Sequence, residues 1–147
     1  MRMFTFAAGH RILGHEGRCK HLHGHTYTAE VTVRALDDSL DDLGRVLDFA
    51  AVKGLVGGWI EEYWDHNLIL PEADPLWQVW EVDKGVFEGR KPYRMRLGNP
   101  TAEHMARELA TVANGLLAVA GCRVTHVRIW ETPNCCADYE PEPEVIR

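Results

Sequence analysis

Cys19-Lys20-His21-Leu22-His23-Gly24-His25, together with Phe6-Ala7-Ala8-Gly9-His10 upstream, concentrates the residue types that bind a divalent metal ion. After Gly24 the chain alternates: Tyr27, Ala29, Val31, Val33 and Ala35 are apolar, while Thr26, Thr28, Glu30, Thr32 and Arg34 are polar. That is the period of a half-buried strand. His23 and His25 share the apolar parity, so a strand over about residues 23–36 sends both imidazoles to the core side with α-carbons about 6.6 Å apart. In a first strand over about Met1–Ala8, Phe4, Phe6, Ala8 and His10 share one parity, and His10 emerges where the strand ends. If the two strands pair antiparallel, the end of one lies beside the start of the other, and three imidazoles meet at one rim.

Three neutral histidines suit zinc, and three protein ligands with a fourth position open is the catalytic arrangement. Any one of these histidines alone reads as a polar loop residue. Three on one predicted surface, two of them at strand spacing, read as a site. Spacing leaves two alternatives open: Cys19 as a fourth ligand closing a structural zinc site, and His21, whose parity matches that of His23.

These elements sit in a chain of 147 residues, most simply one domain over 1–147, with 46% hydrophobic and 26% charged residues. Such a length buries about 68–70% of the unfolded surface without staples. A net charge of −6 with scattered basic residues excludes a nucleic-acid footprint. Arg11, Arg18 and Lys20 beside the proposed metal could meet a phosphorylated substrate, but read better as a solvated loop. Cys19, Cys122, Cys135 and Cys136 show no disulfide framework, which suits a reducing cytoplasm. No stretch has the length of a signal h-region or a membrane span. The expectation is a soluble cytoplasmic protein.

The elements that position the site follow in order. Asp37-Asp38-Ser39-Leu40-Asp41-Asp42 is an acidic, solvated turn. Asp48 caps a first helix with Phe49, Val52, Leu55, Val56, Trp59, Ile60 and Tyr63 on one face. Gly54, Gly57 and Gly58 weaken it by about 1 kcal/mol each and imply close packing, for which the sheet is the candidate neighbour. Asp65-His66 ends it, where a histidine complements the helix dipole. Residues 68–98, punctuated by Pro71, Pro75, Gly85, Gly89 and Pro92, read as an inserted hairpin with short strands over Trp77–Val82 and Tyr93–Leu97. Asn99 then caps a second helix with Pro100 at its first position. Its buried stripe is Ala102, Met105, Ala106, Leu109, Val112, Ala113, Leu116 and Leu117, and Glu103 lies in its opening turns. In a strand over about Val124–Thr132, Glu131 shares the parity of Val127 and Ile129. A carboxylate aimed inward must neutralise or find a donor, whereas one at a fraying rim needs neither. A short strand over Cys136–Glu140 leads to a loose tail at about 141–147.

Phe6-Ala7-Ala8-Gly9-His10, Cys19 followed by His23-Gly24-His25, Asp48-Phe49-Ala50, Asp65-His66, Asn99-Pro100-Thr101-Ala102-Glu103 and Glu131-Thr132 occur in the order and spacing of a known family. Over nearly its whole length the chain resembles the 6-pyruvoyltetrahydropterin synthase / 6-carboxytetrahydropterin synthase family. The gap between Cys19 and His23 resembles that of the bacterial 6-carboxy-5,6,7,8-tetrahydropterin synthases. The resemblance implies an α+β tunnelling fold (T-fold): a four-stranded antiparallel sheet with two helices on one face, ordered ββααββ. It implies a homohexamer, a dimer of trimers with intersubunit active sites. The implied substrate is 7,8-dihydroneopterin triphosphate, converted to 6-carboxy-5,6,7,8-tetrahydropterin, acetaldehyde and triphosphate on the route to queuosine and other 7-deazapurines.

By the same resemblance His10, His23 and His25 hold zinc, and Cys19 is the base. Asp65 and His66 exchange its proton across a subunit interface, and Glu131 and Glu103, with Thr101, bind the pterin. The chain departs from the family in the length of 68–98, in a Pro133-Asn134-Cys135-Cys136 turn without the usual glycine, and in the extra potential ligands His15 and His21. The competing activities are triphosphate elimination to the 6-pyruvoyl compound and an aldolase-like cleavage. A non-catalytic zinc-stabilised pterin- or protein-binding module is the rival of another class.

Overall fold

The computed structural model describes residues 1–142. Strands β1 (Arg2–His10) and β2 (His23–Ala35) pair antiparallel, with Phe6 opposite Tyr27, Ala8 opposite His25 and His10 opposite His23. Helix α1 (Phe49–Val52) continues through a π-helical turn (Lys53–Gly57) into α2 (Gly58–Tyr63). Then follow β3 (Asn67–Pro71), α3 (Leu76–Val82), β4 (Tyr93–Met95), α4 (Ala102–Ala118), β5 (Cys122–Thr132) and β6 (Cys135–Tyr139).

The sheet has six strands in the order β4-β3-β1-β2-β5-β6, not the four expected. β1, β2, β5 and β6 form the expected antiparallel set. β3 adds to β1, and β4 to β3, in parallel. Parallel neighbours need a crossover, and here it contains a helix. The inserted segment is therefore strand–helix–strand rather than a hairpin. Trp77 and Trp80 are both buried, against Leu70, and three-residue spacing puts them on one face of a helix but on opposite faces of a strand. That is why Trp77–Val82 is α3 and not the strand expected.

The main core lies between one sheet face and the long helices. Phe6, Ala8, Tyr27, Ala29, Val31, Val124, Val127 and Ile129 pack against Val52, Val56, Ile60 and Trp64, and against Met105, Ala106, Leu109, Ala113 and Leu117. Each fully buried large side chain contributes about 1.5–3 kcal/mol. Phe49 and Tyr63, expected on the buried stripe of the first helix, are exposed. The inward positions there follow a four-residue step through Val52, Val56, Ile60 and Trp64, and this step runs across the π-helical turn. Asp48 caps the helix as expected, accepting from Ala50 N. In α4 the cap is Thr101, which accepts from His104 N, and not Asn99. The tail expected to be loose lies, from residue 143, outside the described residues. Among the described residues no helix is long and apolar enough to cross a membrane.

Of the three glycines in the first helix, only Gly57 has a close neighbour. A β-carbon there would stand 2.9 Å from the Phe4 ring, whereas one at Gly54 or Gly58 would meet open space. Gly57→Ala is expected to destabilise by about 1–3 kcal/mol through overpacking. Gly58→Ala is expected to stabilise by roughly 0.5–1 kcal/mol. Urea denaturation of the two variants checks the pair.

Candidate metal centre and active site

The antiparallel register brings His10, His23 and His25 together at the rim of the sheet. One nitrogen from each ring can be chosen so that all lie within 4.8 Å of one another. His10 is 1% exposed, at the end of the core face of β1. His15 and His21 do not join the group. His15 Nδ1 accepts from Gly17 N, and His21 is exposed and contributes only its carbonyl. The Cys19 thiol also lies outside the set of convergent donors, which does not favour a closed four-ligand site.

The second nitrogens fix the tautomers. His10 Nδ1 lies 2.8 Å from Pro100 O, and His23 Nδ1 lies 2.7 Å from His21 O. A carbonyl only accepts, so both rings carry their proton on Nδ1 and leave Nε2 bare when neutral. Yet the two Nε2 atoms face each other at 3.1 Å. That distance would suit a hydrogen bond, but neither atom has a hydrogen to give. Protonating one would create a buried cation, and burial pushes the His10 pKa down despite the Pro100 carbonyl and Glu131. His25 Nε2 is also buried without a partner. Three such nitrogens aimed at one point fit a bound cation, and the all-imidazole set suits zinc.

Glu131, at the end of β5, adds a carboxylate to this rim. Its Oε1 is 3.4 Å from His10 Nε2 and 3.9 Å from His25 Nε2, and its side chain is 28% exposed. Of the two positions open on sequence, inward or frayed into water, it takes the inward one with access to solvent. Beneath it Tyr27 sits edge-on to His10 and His25. Its hydroxyl is buried without a partner, and burial, with Glu131 and Cys19 nearby, raises its pKa.

Cys19 is half-buried on a 3-10 turn (Arg18–Lys20) in the loop between β1 and β2, and its carbonyl accepts from Ile12 N at 2.8 Å. Asn99 clasps the same loop with both ends of its amide: Oδ1 accepts from Leu13 N and Nδ2 donates to Leu13 O. That clasp, and the Pro100 carbonyl on His10, are what Asn99-Pro100 does in place of capping. Arg11, read as part of a solvated basic loop, is instead paired with Asp74. Sequence reasoning missed Asp74 as its partner, and a lone Asp-Pro pair gave no signal of it.

Asp65 and His66 form a second unit. Asp65 Oδ1 accepts from Ala7 N at 2.9 Å, and Oδ2 lies 2.9 Å from His66 Nδ1. Burial opposes ionisation of Asp65, but the Ala7 amide and the His66 ring hold its pKa below the usual carboxylate range. His66 does not lie in the last helical turn. It follows α2 with φ of 54°, and its side chain is 77% exposed. It lines a shallow cleft of about 390 Å³ with residues 7–9 of β1 and 24–26 of β2, His25 among them. Glu103 is exposed in the first turn of α4. Within one chain, then, the imidazole trio and Glu131 converge, while Asp65-His66, though sharing a cleft with His25, and Glu103 are not part of that group.

The trio makes metal content the direct check. His10→Ala and His25→Ala are expected to lose equimolar zinc, and His15→Ala and His21→Ala to keep it, by elemental analysis of dialysed protein.

Comparison with known proteins places the chain in a family. The family model described as 6-pyruvoyl tetrahydropterin synthase matches residues 1–142. A Rickettsia bellii protein named 6-carboxy-5,6,7,8-tetrahydropterin synthase is 39% identical over 91% of this chain and 94% of its own. The protein of that name from Rickettsia typhi is 41% identical over the same shares. Among solved structures, an uncharacterized protein from Wolinella succinogenes aligns with a TM-score of 0.79, 24% identity and 96% of both chains. The Caenorhabditis elegans 6-pyruvoyl tetrahydropterin synthase aligns with a TM-score of 0.64 and 21% identity, covering 96% of this chain and 93% of its own. The rim histidines thus stand in a chain that belongs to the 6-pyruvoyl tetrahydropterin synthase family.

Proposed function

We propose that this protein is a zinc-dependent 6-carboxy-5,6,7,8-tetrahydropterin synthase. It would convert 7,8-dihydroneopterin triphosphate to 6-carboxy-5,6,7,8-tetrahydropterin, acetaldehyde and triphosphate. The carrying observation is 39–41% identity, over 91% of the chain, to Rickettsia proteins of that name. The convergent bare nitrogens of His10, His23 and His25 give this reading a physical site. A product of this kind would feed 7-deazapurine synthesis.

Zinc held by the trio would act as a Lewis acid on the hydroxyls of the substrate side chain and acidify the neighbouring C–H. Cys19 would take that proton as thiolate, from a loop fixed at Ile12 and Leu13. Asp65 fixes the His66 ring by its Nδ1, which leaves Nε2 to exchange a proton with the thiol. The exposure of His66 is compatible with that exchange across a subunit contact, and the family resemblance implies the homohexamer with shared sites. Glu131 would accept from the N–H edge of the pterin beside the metal. Glu103, in the first turn of α4 beside the Thr101 cap, would do so as well.

The test is to incubate zinc-loaded protein with 7,8-dihydroneopterin triphosphate, assay acetaldehyde and identify the pterin by mass. Acetaldehyde with a 6-carboxy pterin is expected. A 6-pyruvoyl pterin would move the chain to the sister activity, and untouched substrate would favour a binding module. Cys19→Ala is expected to retain zinc and lose turnover by about 10²-fold or more. Loss of zinc in that variant would point instead to cysteine ligation and a closed structural site.

A further inference from the structure

We propose that the strand–helix–strand segment over residues 68–98 is a buttress for the Cys19 loop, and that Asp74, acting through Arg11, is a positioning residue for the reaction. The catalytic part rests on the function proposed above.

The segment has a small core of its own. Leu70, Trp77 and Trp80 are buried together, with Leu68, Leu76 and Phe87 packed against them. Trp77 Nε1 donates to Pro71 O at 2.9 Å, and the Arg94 guanidinium lies 4.2 Å from the Trp77 ring centroid. β3 binds the body of the sheet only at Ala8, Gly9 and His10, the end of β1 that carries a rim histidine. The rigid unit therefore abuts the point where the chain leaves the sheet to form the loop.

Arg11 is the next residue. Its Nε donates to Asp74 Oδ2 at 2.7 Å and its Nη2 donates to Asp74 Oδ1, a two-pronged contact that fixes direction as well as distance. The Asp74 side chain is fully buried. Oδ1 also accepts from Leu76 N, so one carboxylate ties Arg11 to the first turn of α3. Burying the carboxylate of a charge pair is a costly way to hold two surfaces together, and it is tolerated only where the geometry is well satisfied. From Arg11 the path to the thiol is short: the next amide, Ile12 N, donates to Cys19 O at 2.8 Å. The imidazole trio does not depend on this path. It is set by the β1–β2 register and by the carbonyls of Pro100 and His21. Asp74 can thus move the thiol without moving the metal.

The test uses full-length zinc-loaded protein carrying Asp74→Asn, with Arg11→Lys as the milder variant that keeps charge but loses the fork. Zinc content, amide exchange of residues 11–22 against 23–31, and the alkylation rate of Cys19 by iodoacetamide are read alongside kcat and KM. The exposed Cys135 and Cys136 serve as internal standards for alkylation. Expected for Asp74→Asn are unchanged zinc, about ten-fold faster exchange confined to 11–22, a changed Cys19 alkylation rate relative to the standards, and kcat lowered about ten-fold or more with KM little moved. Arg11→Lys should show the same pattern, weaker. Unchanged exchange and alkylation at Cys19 in both variants would overturn the proposal. A loosened loop with intact kcat would overturn the positioning role of Asp74. If the wild type turns over no dihydroneopterin triphosphate while the loop still loosens, the buttress is supported and the proposed reaction fails on its own.

Discussion

Bare imidazole nitrogens held face to face are the constraint on which the rest of this structure depends. His10 Nε2 and His23 Nε2 present lone pairs to each other at 3.1 Å. The fold does not relieve this by turning the rings, because Pro100 O and His21 O hold both on their far side. Buried polar atoms without partners are costly, and those that persist mark places where function outweighs stability. Besides that facing pair, four buried side-chain atoms without a partner occur among the described residues, and two of them, His25 Nε2 and Tyr27 Oη, belong to this rim.

From that constraint the division of labour among the elements follows. The β1–β2 ladder brings the ligands together, and α4 contributes a backbone carbonyl just before its start rather than a side chain. The loop between the strands hangs from Asn99 on one side and Asp74 on the other. The Arg11–Asp74 pair bears on the loop side of this arrangement, whereas the imidazoles are held by the ladder and by the carbonyls of Pro100 and His21.

Much of the site was legible in the sequence, for reasons that differ by residue. His10, His23 and His25 could be placed because strand parity is a strict two-residue rule; the same rule offered Glu131 an inward position beside Val127 and Ile129 but left the frayed rim equally open. Thr101 lost its capping role to Asn99 in the reading because Asn-Pro is the stronger local pattern; a tertiary contact with Leu13, invisible to local rules, decided otherwise. β3 was missed, and the strand read over Tyr93–Leu97, found at Tyr93–Met95, was not placed in the sheet, because parallel pairing depends on where a crossover returns the chain and not on the strands themselves. Phe49 and Tyr63 were misassigned because ideal helical spacing does not register a π-helical turn. The Arg11–Asp74 pair was beyond reach because ion pairs distant in sequence leave no periodic trace.

The most direct measurement of the metal centre is zinc K-edge X-ray absorption on the zinc-loaded full chain. Histidine-only ligation with an open position is expected to give a first shell of nitrogen and oxygen scatterers at about 2.0–2.1 Å. A sulfur scatterer at about 2.3 Å would place the Cys19 thiol on the metal and contradict a catalytic site in which the thiol is free to act as a base.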